Sequence, residues 1–141
     1  MTQRNKQIAF LTLRLLLGCV FFFQGFGKAF KIGLDTVYQN FFLKPYGNIL
    51  PHSLLLFTSY YTSLVELIGG FLLIIGLKKD YTLYALASVL VIVSIGHGLK
   101  EPIWDLSHVI FRTILLISLL LLPNEWDTFS FDAIINKKTN K

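Results

Sequence analysis

Apolar residues run through this chain in four long blocks divided by short polar breaks, with no regular polar face inside the blocks. The blocks cover residues 8–28, 54–77, 81–99 and 104–122, each near the ~20 residues that cross a bilayer as a helix. The break Lys78-Lys79-Asp80 is so short that the second and third helices must be antiparallel neighbours. Pro102 interrupts the chain before the fourth block and Pro123 ends it, because proline lacks the N–H that a continuing helix needs. Trp104 and Trp126 flank that block, at the interfacial positions tryptophan favours. The pattern predicts an all-α integral membrane protein, a four-transmembrane-helix bundle that forms one domain over residues 1–141. The first block is long for the apolar core of a cleaved leader, contains Arg14 and ends without a small-x-small exit, so it reads as a retained span.

The longest break, residues 29–53, has its own pattern. Asp35 precedes apolar residues at helical spacing through Phe42, with Pro45 and Gly47 beyond. This predicts a short interfacial helix capped by Asp35, its Tyr38, Phe41 and Phe42 dipped toward lipid or folded over the bundle; an extended loop is the alternative. Orientation follows from the basic residues outside the spans. Seven lie on one side (Arg4, Lys6, Lys78, Lys79, Lys137, Lys138, Lys141) and four on the other (Lys28, Lys31, Lys44, Lys100), which puts both termini in the cytoplasm.

Composition agrees with this class. The chain is 54% hydrophobic and 15% charged, against about 45–50% and about 25% in soluble domains. The net charge of +5 sits at the ends and breaks, where it serves orientation, so nucleic acid is not an expected partner. A single cysteine, Cys19, excludes a disulfide framework and intramolecular dithiol chemistry. His52, His97 and His108 include no pair at the i, i+4 spacing of a helical metal site, and no metal is expected.

Candidate chemistry comes from polar residues inside the apolar blocks. Arg14, Glu66, His97 and Arg112 each interrupt one, and Gln24 lies near the end of the first. A lone charge at a span's centre costs about 2.5–3.5 kcal/mol on insertion scales, so such groups are expected to pair. If the spans begin and end level, a rise of ~1.5 Å per residue puts Arg14 roughly 10 Å from the cytoplasmic end. Glu66 and Arg112 then lie roughly 15–16 Å deep, and Gln24 and His97 roughly 25 Å, at the outer mouth. Arg112 becomes the expected partner of Glu66, Arg14 a competitor one turn away, and Lys28 a boundary residue snorkelling to headgroups. Gly18, Gly25, Gly69, Gly76 and the 94–98 stretch are expected where helices approach closely. Three readings stay open for the charges. One is an ion pair that locks helix register, another is a quinone, small-substrate or proton site, and the third is a charge that faces a partner subunit.

Span one reads Leu13-Arg14-Leu15-Leu16-Leu17-Gly18 and continues to Gly25-Phe26-Gly27-Lys28. Span two reads Glu66-Leu67-Ile68-Gly69-Gly70 through Gly76-Leu77, and Phe129-Ser130-Phe131-Asp132 closes the chain. With His97, this pattern resembles the DoxX family of small four-helix bacterial membrane proteins over nearly the whole chain. The resemblance implies a multi-pass protein of the bacterial inner membrane, linked to quinol oxidase, thiosulfate:quinone oxidoreduction and related redox complexes. It implies an accessory, redox-associated subunit rather than an enzyme acting alone. Quinone is then the candidate cofactor, and the lipid bilayer, a membrane or peripheral oxidoreductase subunit and a second copy of the chain are the candidate partners. A small-solute or proton transporter and a structural scaffold or assembly factor are the alternatives.

Overall fold

The structure, a computed structural model, describes residues 2–101 and 107–139, without the side chains of His108 and residues 136–139. Pro102, Trp104, the His108 side chain and the basic groups of Lys137, Lys138 and Lys141 lie outside the described residues. All regular structure among the described residues is helical.

Helix α1 (Gln3–Phe26) starts at Thr2, whose hydroxyl accepts the Asn5 N–H, and continues without a break into a wider π-helical stretch, Gly27–Ile32. It ends at Gly33, whose φ of 87° suits glycine. The connection is indeed helical. We label residues 34–46 α2; it comprises Leu34–Val37, a π-helical stretch Tyr38–Leu43 and a last turn Lys44–Tyr46. Gly33, not Asp35, sits at its cap. Asp35 instead lies in the first turn and accepts the Tyr60 hydroxyl at 2.5 Å, which straps α2 to the next helix.

Helix α3 (His52–Ile75) ends in a left-handed Gly76 that closes a Schellman-type cap: the N–H groups of Gly76 and Leu77 both return to the Leu72 carbonyl. Gly76 therefore serves chain reversal and also the close contact expected of it, since a Cβ there would run into the Arg14 side chain of α1 and into Ser130. Helix α4 (Lys79–Lys100) runs back antiparallel, and Tyr61 and Ser88 hydroxyls bond across the α3–α4 contact at 2.7 Å. Helix α5 (Ser107–Leu121) follows, then a 3₁₀ turn Asn124–Trp126 and α6 (Phe131–Thr139).

α1, α3 and α4 are long and apolar enough to cross a membrane, and Val109–Leu121 forms a shorter apolar helix. Phe10, Leu17, Phe21, Leu73, Leu86 and Leu119 meet in the core with no exposure. The outside is apolar as well: Phe23 is 67% exposed, Phe57 66% and Phe111 70%. An apolar surface around a core holding Arg14, Glu66 and Lys79 suits hydrocarbon rather than water as the solvent.

Glycine contacts set the register of α1 on α3. A Cβ at Gly25 would lie 2.3 Å from the Leu67 nitrogen, and one at Gly70 would lie 2.2 Å from the Phe22 nitrogen. Gly18 faces Gly70 and Ile74, while Gly69 packs against Leu86 of α4. The two backbones are in near contact over about two turns, the close approach expected for helices that associate without a hydrophobic drive.

Candidate functional site

Glu66 belongs to a stripe on the inner face of α3. Ser59, Thr62, Ser63 and Glu66 follow one another at helical spacing, and each is at most 1% exposed. Thr62 and Ser63 donate to the Ser59 carbonyl at 3.2 and 2.7 Å; the Ser59 hydroxyl has no partner among the described residues. Glu66 Oε2 accepts from Lys28 Nζ at 2.7 Å. Lys28 stands on the π-helical end of α1, three residues beyond Gly25 and so on the same face, with its side chain 20% exposed. It does not snorkel outward. It turns inward to the carboxylate.

The expected Glu66–Arg112 ion pair is absent among the described residues. Arg112 lies over the Phe21 ring, 6.0 Å from its centroid, and acts on Glu66 through the field alone. Arg14 does not compete for Glu66 either. Its Nη1 donates to the carbonyls of Leu73 (2.7 Å) and Ile74 (3.1 Å), its Nη2 donates to Phe129 (2.6 Å), and Nε stands 3.4 Å from Asp127 Oδ1. Arg14 thus caps the end of α3 and ties it to the C-terminal segment. The corrections at Arg14 and Lys28 have one cause. Level helix ends were assumed, but the Gly25–Leu67 and Gly18–Ile74 contacts shift α1 along α3 by about seven residues, or ~10 Å. That shift carries Arg14 to the α3 terminus and Lys28 to within reach of Glu66.

Around Arg14, the C-terminal segment docks on the α3–α4 reversal. Asp132 donates its N–H to the Gly76 carbonyl and accepts the Lys79 N–H, while Ser130 caps α6 through the Ala133 N–H. Lys79, expected to serve orientation, is buried; its ammonium bonds Asn124, pairs with Asp80 and lies over Phe10. Trp126 is half-buried beneath Lys6. Burial pushes the Asp127 carboxyl above its ordinary value, against the opposite pull of Arg14 and Lys79. The folded state therefore binds this proton more tightly than the unfolded chain does. That contribution to stability is complete at acid pH and is lost as pH rises through the raised value. Melting temperatures across the acid range should show a component that falls with rising pH in the native protein and disappears in Asp127→Asn.

At the opposite end of the bundle, α1, α2, α3 and α4 line a half-open cavity of about 700 Å³. Its walls are mainly apolar, among them Phe23, Phe41, Leu55 and Ile92. Its polar groups are Gln24, Lys28, Tyr46, Thr58 and His97. Burial, and then the nearby Glu101, push the Tyr46 phenol above its ordinary value, so it stays a protonated hydrogen-bond donor. The structure thus brings Gln24 and His97 to one cavity. Glu66 stands behind it, joined through Lys28; Arg112 and Arg14 do not line it. Sequence reasoning missed Lys28, although its place on the Gly18–Gly25 face was a usable signal. It also missed the Ser59–Glu66 stripe, whose i, i+3, i+4, i+7 spacing was legible.

Apolar helices of membrane length, an apolar exterior and charges paired inside define a multi-pass membrane protein of the helical-bundle class. The chain belongs to the DoxX family, whose model matches residues 9–98. That match covers Arg14, Gln24, Lys28, Glu66 and His97 and stops short of Arg112. No curated protein and no solved structure matches the chain.

Proposed function

We propose that this DoxX protein is a redox-associated subunit or accessory factor whose cavity receives the head of a membrane quinone. The chain would form one domain of four spans in the bacterial inner membrane with both termini cytoplasmic, and act beside an oxidoreductase partner or a second copy of itself. The observation that carries the ligand reading is the cavity itself, about 700 Å³ with apolar walls and a paired lysine set into one side. That volume lies within the range of small-molecule sites, about 300–1,000 Å³. The polar groups suit a head that accepts hydrogen bonds. Lys28 Nζ keeps donors beyond the one used by Glu66, and Tyr46 and Gln24 add others. Gln24, Lys28, Glu66 and His97 are the proposed site, with Arg112 supporting the charge of Glu66. Arg14 holds the opposite end together and is not part of it.

Protein purified in mild detergent should release quinone on solvent extraction, at a molar ratio well above that from Gly96→Phe. Gly96 and Tyr46 both line the cavity, and a Cβ at Gly96 would lie in van der Waals contact with the phenol, 3.7 Å from its oxygen, so a phenyl group there takes up cavity space. Equal quinone in the two preparations would sink the proposal.

A further inference from the structure

We infer that Glu66 is a positioning residue for ligand selectivity: by holding Lys28 in a neutral pair, it makes the cavity accept uncharged long-chain amphiphiles with hydrogen-bond-accepting heads and reject acids of the same length. This rests on the ligand-cavity reading above and adds which head chemistry the cavity takes.

Among the described residues on the wall, Lys28 alone carries a full charge. Its counter-ion is not on the wall. Glu66 is 1% exposed and reaches the ammonium from behind at 2.7 Å. Arg112 is also off the wall, over Phe21, and offers no donor to the cavity. An entering ligand therefore meets on the wall an ammonium with N–H groups to give whose charge Glu66 already balances, while the Arg112 charge stays behind the wall. A carbonyl or ester oxygen gains a charge-assisted hydrogen bond and brings no charge of its own. A carboxylate brings a second anion beside Glu66, inside apolar walls, and has no cation of its own there. Such a charge in hydrocarbon is expensive. Glu66→Gln would reverse the balance, because Lys28 then becomes an unpaired cation and an acid head supplies the missing partner.

The probes are decanoate and methyl decanoate, one chain with charged and uncharged heads, measured by equilibrium binding to the full chain in nanodiscs. The wild-type protein should bind the ester more tightly by about tenfold or more, a conservative reading of the cost of an unpaired charge in the membrane. Glu66→Gln should bind decanoate more tightly than the ester. Lys28→Met/Glu66→Gln, with neither charge, should hold the ester more weakly than wild type and gain no affinity for the acid. A wild-type preference for decanoate overturns the inference, as does an unchanged ratio in Glu66→Gln or a gain for the acid in the double variant. If Glu66→Gln does not fold, the wild-type ratio and the double variant decide. Failure of the quinone reading is separable. Ester-over-acid selectivity without extractable quinone removes quinone and leaves the inference standing, whereas bound quinone with equal ester and acid binding removes the inference alone.

Discussion

Arg14→Gln is expected to lose about 3–5 kcal/mol of stability, the usual cost of removing one partner from a buried charged pair. In detergent this should appear as a large fall in melting temperature and in the yield of monodisperse protein. The size of the effect comes from what the guanidinium does at once. It satisfies the Leu73 and Ile74 carbonyls at the end of α3, bonds the Phe129 carbonyl and faces Asp127, with only 1% of its side chain exposed. Carbonyls at a helix end have no partner inside the helix, so an interior terminus needs an outside donor. Lysine cannot span these acceptors with one ammonium, so Arg14→Lys should recover only part of the loss. Adding Asp127→Asn to Arg14→Gln should recover part as well, because an unpaired carboxylate is no longer left behind. An Arg14→Gln protein that melts like the wild type would show that α3 and the C-terminal segment do not depend on this contact.

The second large effect is expected at Gly25 and Gly70. A methyl group at Gly25 would sit 2.3 Å from the Leu67 nitrogen and 2.6 Å from its Cα; at Gly70 it would sit 2.2 Å from the Phe22 nitrogen. These neighbours are backbone atoms. They cannot rotate away as a side chain can, so α1 and α3 must separate or slide. Gly25→Ala and Gly70→Ala should each cost about 3 kcal/mol, the upper end of ordinary overpacking. Gly27→Ala is the control. Nothing lies within 4 Å of its added methyl, and its stability should stay within about 0.5 kcal/mol of wild type. Similar melting temperatures for Gly25→Ala and Gly27→Ala would exclude the glycine contact as the device that sets the register. Sliding would also part Lys28 from Glu66, so quinone retention should fall with stability in Gly25→Ala.

Much of the fold was legible because membrane crossing is a demand on composition and length. Long apolar runs mark the spans whatever their neighbours are, and the short 78–80 break forces α3 and α4 side by side. The helical content of the connection was legible in the spacing of Val37, Phe41 and Phe42. Its cap was misread, because Asp35 resembles a capping residue until the left-handed Gly33 is seen ahead of it. Gly76 answers two demands, and spacing showed only one: Arg14 of α1 lies where a Cβ would stand, and the positive φ that ends α3 also calls for glycine.

The candidate site was legible in its members more than in its partnerships. Burying a charge is expensive wherever the neighbours stand, so Glu66, Arg14 and Arg112 announced themselves as groups needing partners from local sequence alone. Which partner each takes depends on how far one helix slides along another. An apolar helical membrane bundle, the polar residues inside it and the small residues that permit close approach were all readable along the chain, because these follow from hydropathy and side-chain size. That Lys28 meets Glu66, that Arg14 closes the far end and that Gln24 and His97 share a cavity came from how the helices pack. Those pairings rest on the glycine-set register between α1 and α3, a long-range contact that local spacing does not carry.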